Sequence, residues 1–198
     1  GQDITGATNG VLTVNSTGAN LTGAVIQNDN AADVLVISDN TGAVSLAATV
    51  GMENVTLSLG STGAVTLDAD TTTVTVTSGA ATVTTAAVGQ DVDGAADGAL
   101  TVNSTDAFIA GSVIKGDNGA NDTLVISNQV TAVRDFTSYA DLQGVEALTL
   151  SLGSTAAVTL DAEMASAVVT SGAATVTTSA IGQDITGATN GVLTVNST

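Results

Sequence analysis

A glycine-rich turn near the middle of the chain carries the side chains with the clearest chemical potential. Residues 116–124 read GDNGANDTL, with oxygen-bearing side chains at Asp117, Asn118, Asn121 and Asp122. Carboxylate and amide oxygens are the ligands that Ca²⁺ prefers, and glycines let the backbone curl around an ion. The turn therefore predicts a calcium site. Ordinary turn chemistry is the alternative, because Asn and Asp side chains also hydrogen-bond to their own backbone in tight turns.

Two other acidic turns have part of the same character. Residues 27–35 read QNDNAADVL and keep three of the candidate calcium ligands but no glycine; the three are Asp29, Asn30 and Asp33. The segment GQDVDGAADG holds a second acidic group, which consists of Asp91, Asp93 and Asp97. The other copies of that segment match the second group at one position only. We therefore predict calcium ligands in residues 27–35. Asp91, Asp93 and Asp97 are a weaker candidate site.

Catalytic residue types are scarce. The chain has no His and no Cys, which removes the commonest general base and every thiolate nucleophile or thiolate metal ligand. The GxSxG pattern of serine hydrolases does not occur. The closely spaced acids Asp161 and Glu163 are expected in a strand, and we do not expect them to act as a catalytic pair. We expect no enzymatic activity and no cofactor besides Ca²⁺.

The chain is a repeat. Its first seventeen residues, GQDITGATNGVLTVNST, return unchanged as residues 182–198, and a looser copy begins at Gly89. Between these copies, the phrases DVLVIS, VTLSLGST, AVTLDA and TSGAATVTT recur in the same order with few changes. Such self-similarity indicates an array of units. We predict one unit over residues 1–88, a second over 89–181 and the start of a third over 182–198, as a window of a longer array.

Composition limits the partners and the core. Nineteen acidic residues against only Lys115 and Arg134 give a net charge of −17, which repels nucleic acid and anionic membrane surfaces. No apolar run approaches the length that spans a bilayer, so we expect no membrane insertion. Hydrophobic residues make up 43% of the chain but aromatic residues only 2%, so the core must consist of Val, Leu, Ile and Ala.

Periodicity predicts an all-β protein. Runs such as residues 55–59 and 74–76 alternate apolar residues with Thr or Ser, while Gly, Asn and Asp punctuate them. Strand centres are predicted every seven to ten residues, at Leu57, Leu67, Val76 and Val83 and at Leu150, Leu160, Val169 and Val176. Only the short segment 135–144 has helical character. This spacing predicts a parallel β-solenoid of tandem repeats, a β-helix or a β-roll; tandem β-sandwich domains are the alternative.

Several phrases resemble a known family. The turn at residues 116–124 resembles the calcium-binding nonapeptide of the repeats-in-toxin family. The phrases DTLVIS and LQGVEALTLSLG, and their counterparts DVLVIS and MENVTLSLG, resemble segments of calcium-dependent bacterial surface-layer proteins and large secreted adhesins. The resemblance implies an extracellular β-roll or β-helix that folds with external calcium and assembles into a lattice, a fibre or a stalk. The absence of Cys agrees with such a secreted protein.

These observations predict a structural extracellular repeat protein that builds a surface layer, a sheath or a filament, with calcium as a stabiliser. Its partner is itself, head to tail and side to side. A spacer or stalk of a giant secreted adhesin is the alternative. A minor alternative comes from the threonines of residues 73–77 and 82–84, which resemble the TxT arrays of ice-binding β-solenoids.

Overall fold

The structure is a computed structural model that describes residues 2–7, 9–28, 32–39, 42–58, 63–116, 121–128, 133–137, 142–151, 156–189 and 191–198. Short strands make up most of it. In chain order they are β1 (Ile4–Thr5), β2 (Thr13–Thr17), β3 (Ile26–Gln27), β4 (Val34–Ser38), β5 (Ala43–Ser45), β6 (Thr49–Val50), β7 (Asn54–Ser58), β8 (Gly63–Thr66), β9 (Thr73–Ser78), β10 (Ala81–Thr84), β11 (Asp91–Asp93), β12 (Leu100–Thr105), β13 (Ile114–Lys115), β14 (Thr123–Ser127), β15 (Val133–Asp135), β16 (Leu142–Gln143), β17 (Ala147–Ser151), β18 (Ala156–Thr159), β19 (Ser166–Ser171), β20 (Ala174–Thr178), β21 (Asp184–Thr186) and β22 (Leu193–Ser197). One helical turn, α1 (Gly18–Leu21), follows β2.

The strands stack as a parallel β-solenoid of about eight turns, which confirms the predicted fold class. Each paired strand lies parallel to a strand of the next coil, as β4 does to β7 and β14 does to β17. A β-sandwich would pair neighbouring strands antiparallel through hairpins. The sandwich alternative is therefore wrong for the described residues.

Four sheets line the solenoid. Sheet A has the order β1-β3-β6, sheet B β2-β4-β7-β9-β11-β13-β16, sheet C β5-β8-β10-β12-β14-β17-β19-β21, and sheet D β15-β18-β20-β22. The coil β6-β7-β8 of the first unit contributes one strand to each of sheets A, B and C. The corresponding coil of the second unit, β16-β17-β18, contributes one strand to each of sheets B, C and D. Sheets B and C therefore run through both units, and each unit begins one sheet later than the unit before it.

Aliphatic ladders fill the interior. In sheet B, residues directly opposite one another form a continuous ladder of Val14, Leu35, Val55, Val74, Val92, Ile114 and Leu142, all of them buried. Each rung stacks on the next because identical alternation brings the apolar side of every strand inward. Burying one such side chain contributes about 2 kcal/mol. The ladders confirm a mainly aliphatic core, but Phe136, Met52 and Met164 are also fully buried, which the composition did not predict.

Local details differ from the sequence prediction at three places. Leu67 and Leu160 were expected at strand centres, but β8 ends at Thr66 and β18 at Thr159, so both leucines are buried corner residues. The segment 135–144 was expected to have helical character, yet its described ends lie in β15 and β16, and residues 138–141 lie outside the description. The helical turn α1 was not predicted. Thr17 caps it by accepting a hydrogen bond from Asn20 N over 3.4 Å.

Candidate functional site

Asp33 lies at a corner between two coils, immediately before β4. Its carboxylate is fully buried, and Oδ1 accepts a hydrogen bond from the backbone nitrogen of Leu12 in the preceding coil over 2.8 Å. The backbone nitrogen of Asp33 in turn donates to Glu53 Oε2 in the following coil over 3.3 Å. Three successive coils are thus connected through two carboxylates.

Asp122 occupies the equivalent corner of the second unit and makes the same contacts. Its Oδ1 accepts from Leu100 N over 2.7 Å, and its own backbone nitrogen donates to Glu146 Oε2 over 2.8 Å. A buried hydrogen bond between a carboxylate and a backbone amide contributes about 2 kcal/mol. Asp33 and Asp122, together with the glutamates that follow them, are therefore fasteners between coils.

The predicted calcium ligands divide into two groups. Asp29, Asn30, Asp117 and Asn118 lie outside the described residues. Of the others, Asn121 is exposed, whereas Asp33 and Asp122 are buried in the coil-to-coil contacts just described. Within the described part of the chain, no three acidic residues gather into a group that could hold a metal ion. Calcium binding at these turns stays a prediction.

The structure does not bring the three carboxylates of the weaker acidic group together. Asp91 Oδ1 accepts from Val113 N over 2.8 Å, and Asp97 Oδ1 accepts from Gly79 N over 2.8 Å, so these two carboxylates serve different coil junctions. Asp93 is exposed and lies opposite Lys115 across the β11–β13 pair. The group consists of two fasteners and one exposed carboxylate on the strand beside Lys115.

Another pair of fasteners was missed in the sequence. Asp70 Oδ2 accepts from Gly51 N over 3.2 Å, and Glu163 Oε2 accepts from Gly144 N over 3.1 Å. The two pairs occupy matching positions of the two units, and in each pair the donor and acceptor are nineteen positions apart in the sequence. That shared spacing is the signal that could have found them. Glu163 and Asp161 lie in the turn after β18, where Asp161 Oδ1 accepts from Glu163 N over 2.9 Å, so the expected position of these two acids in a strand is wrong.

Two glutamine side chains hydrogen-bond to backbone atoms at corners of the solenoid. Gln90 Nε2 donates to the carbonyl oxygens of Asp68 and Thr71, each over 2.7 Å, and its Oε1 accepts from Ala86 N at 2.6 Å and Ala87 N at 3.0 Å. Every hydrogen-bonding position of this buried amide is therefore used. Gln183 makes the four equivalent bonds in the next copy of the segment, to Asp161, Met164, Ser179 and Ala180. Neither glutamine was predicted from the sequence to have a role.

Arg134 is a charged residue at an inward-facing position. It pairs in register with buried Val158, and its counterpart in the first unit is the buried Val44. The guanidinium donates from Nε and Nη2 to Asp106 Oδ1, at 3.0 and 2.6 Å, and from Nη2 to the Asp106 backbone oxygen at 2.9 Å. Asp106 in turn occupies the place of Gly18. An ion pair in the second unit thus replaces a valine and a glycine in the first.

Arg134→Val is expected to lower the free energy of unfolding by about 2 kcal/mol, because Asp106 would remain buried without its guanidinium donors. The double variant Asp106→Gly/Arg134→Val recreates the first unit's residues and should recover most of that loss. Guanidinium denaturation followed by circular dichroism measures both. If the double variant is as unstable as Arg134→Val, then the ion pair stabilises the second unit more than the valine and glycine of the first unit would in its place.

The threonine rows are interrupted. Thr82 and Thr84 alternate with buried Ala81 and Val83, so they lie on the outer side of sheet C, as the TxT pattern predicts. The next strand places Thr101 and Asn103 beside them, and the strand after that places Thr123 and Val125 in register. Paired threonines therefore do not continue from coil to coil, and ice binding stays an untested minor alternative.

Comparison with protein-family models, with curated protein sequences and with solved structures finds no match for this chain. In the described ranges, no helix combines the length and the apolar character needed to cross a bilayer.

Proposed function

We propose that this protein is a structural repeat protein of a cell exterior, a rod that joins end to end into a filament, a sheath or a surface layer. One observation carries the proposal: sheets B and C pass from the first unit into the second without a break. At the junction, β11 pairs with β9 and β13, and β12 pairs with β10 and β14. Joining one unit to the next thus uses the same backbone ladder as joining one coil to the next.

Edge strands supply the contact surface. Strands inside the stack are paired on both sides, as β4 is with β2 and β7, so a stack of such coils has an unpaired edge wherever it stops. An unpaired edge offers a row of backbone donors and acceptors to another strand. A contact between unlike ends repeats without closing on itself, which produces a filament rather than a small ring.

The chemistry of the chain supports an exterior location. A net charge of −17 keeps isolated rods soluble, and the lack of Cys makes the fold independent of redox conditions. The fold is stabilised by apolar ladders, carboxylate fasteners and buried amides, none of which requires a small-molecule cofactor. Calcium, as a further stabiliser of the turns that contain Asp29 and Asp117, belongs to the proposal.

Electron microscopy and sedimentation velocity of the purified chain test the proposal. We expect elongated particles whose length grows in multiples of one chain as the protein concentration rises, in millimolar calcium. Chelation should shorten them if calcium stabilises the acidic turns, and should leave them unchanged if the turns are closed by hydrogen bonds alone. Single rods at every concentration, with and without calcium, would contradict end-to-end assembly and favour the adhesin spacer.

A further inference from the structure

The outer side of sheet C is uncharged over seven successive strands, from β5 to β19. Residues that alternate with the buried ones project outward there and form two rows in register. One row consists of Ala43, Ala64, Thr82, Thr101, Thr123, Ala147 and Ser166, and the other of Ser45, Thr66, Thr84, Asn103, Val125, Thr149 and Val168. We name these two rows the neutral face. A charge follows only in the next strand, where Asp184 lies in register with Ser166.

Charge sets the neutral face apart from the rest of the molecule. The outer side of sheet B, in contrast, carries Asp91, Asp93 and Lys115 on two neighbouring strands. The whole chain has a net charge of −17, so two copies repel each other. That repulsion is weakest where no carboxylate projects. The neutral face is therefore a side on which two copies can approach closely.

The size of the neutral face suits a weak contact between two copies. Strands about 4.8 Å apart and a rise of about 3.3 Å per residue give a face of about 30 by 17 Å, or about 500 Å². Two such faces bury about 1,000 Å² together, which is the lower limit for a specific interface. The contact therefore needs a high protein concentration or several joined chains.

The repeat of the neutral face fits a second copy better than another protein. A second copy has the same spacing between strands, so the side-chain rows of one face match the grooves of the other along the whole length. Alanine, serine, threonine and valine side chains are short, which permits the usual separation of about 10 Å between stacked sheets. They also lose little rotamer freedom when buried. Threonine and serine hydroxyls both donate and accept, so facing rows can satisfy each other's hydrogen bonds.

We infer that the neutral face is a lateral contact between two copies of this chain, with the outer side of one sheet C packed on the outer side of the other. This inference rests on the proposed structural function and specifies how neighbouring rods join side by side. Lateral joining changes the width of a particle, whereas end-to-end joining changes its length.

The variant Thr149→Glu tests the contact, and Thr56→Glu is its matched control. The two threonines occupy the same place in the equivalent strands β17 and β7 and are both half-buried, but Thr56 lies on the outer side of sheet B. Each variant adds the same charge to the chain. Sedimentation velocity and electron microscopy are compared for the full chains over a range of protein and NaCl concentrations, and thermal unfolding checks that each chain is folded.

We expect the wild type to form pairs that are wider but not longer, and more of them as NaCl screens the repulsion. Thr149→Glu should need a protein concentration at least about tenfold higher, because its carboxylate would be buried without a partner. Thr56→Glu should pair as the wild type does. Thr84→Glu, on the same neutral face, replaces Thr149→Glu if that variant does not fold.

A mixing experiment identifies the occupant of the face. Thr149→Glu and Thr149→Lys together should pair more strongly than either variant alone, because opposite charges then meet across the contact. A mixture that pairs no better than its components would overturn the packing of one neutral face on another.

Other outcomes separate this inference from the proposed function. Equal weakening by Thr149→Glu and Thr56→Glu would overturn the role of the neutral face. Wild-type rods that never widen, at any protein or salt concentration, would overturn lateral contact, while their length still tests end-to-end assembly. A wild type that stays single and shapes growing ice crystals would overturn it as well and assign the face to ice.

Discussion

Gln90→Glu is expected to lower the free energy of unfolding by about 4 kcal/mol, the largest effect of any single substitution proposed for this chain. The amide donates to two buried carbonyl oxygens, of Asp68 and Thr71. A carboxylate has no hydrogen to donate, so both carbonyls lose their donor at a cost of about 1–3 kcal/mol each, and the new charge faces their negative ends. Denaturation by guanidinium, followed by circular dichroism, gives the value.

Gln183→Glu is the matched control, because Gln183 makes the same four hydrogen bonds but is only half-buried. Water can compensate a partly exposed group, so we expect a loss of about 1 kcal/mol there. Equal losses at the two positions would show that burial does not set the cost, and that the closed corner at Gln90 admits water.

Gly98→Ala is expected to lower the free energy of unfolding by about 3 kcal/mol. A Cβ atom there would lie 2.1 Å from the backbone carbonyl carbon of Gly79 in the preceding coil. Backbone cannot move aside as a side-chain tip can, so the two coils must separate locally and stretch the Asp97 bond to Gly79 N. A shift of the thermal midpoint by about 9 °C would correspond to this loss.

Gly10→Ala supplies the control for this steric effect. Gly10 holds the same place in the first copy of the seventeen-residue segment, where the nearest atom to a Cβ would be Ala7 Cβ, at 3.8 Å. Neither glycine has a positive φ angle, so the substitution changes the contact and not the backbone preference. We expect a change within about 0.5 kcal/mol at Gly10. A comparable loss at both positions would mean that chain flexibility, not the coil contact, explains the result at Gly98.

The fold could be predicted because its rule is local. Alternation of Leu35 and Ile37 with outward residues is enough to define a strand with one buried side, and the same alternation recurs in every coil. Corners are different. Leu67 continues the apolar alternation of β8 and is buried, although the strand has already ended at Thr66. Periodicity alone cannot separate a strand's last residue from a buried corner.

The role of the acidic corners was harder to predict. Asp33 and Asp122 were singled out as polar ligands, and the structure places their Oδ1 atoms against backbone nitrogens of another coil. A carboxylate can accept from an amide donor as readily as it binds a cation, and which of the two it meets depends on the coil that lies beside it. The amide donors here are 21 residues away from Asp33 and 22 residues away from Asp122 in the sequence, so they can be identified only once the coil lengths are known.

Each unit starts one sheet later than the preceding unit, and this shift gives the array a screw symmetry. Asp33 stands before a strand of sheet B, while its counterpart Asp122 stands before a strand of sheet C. Because sheets B and C continue through both units, this shift means that successive units are rotated relative to each other about the long axis. A group fixed in every unit, such as a lateral contact, would therefore face a different side in successive units. A filament built on this plan could join neighbours on more than one side.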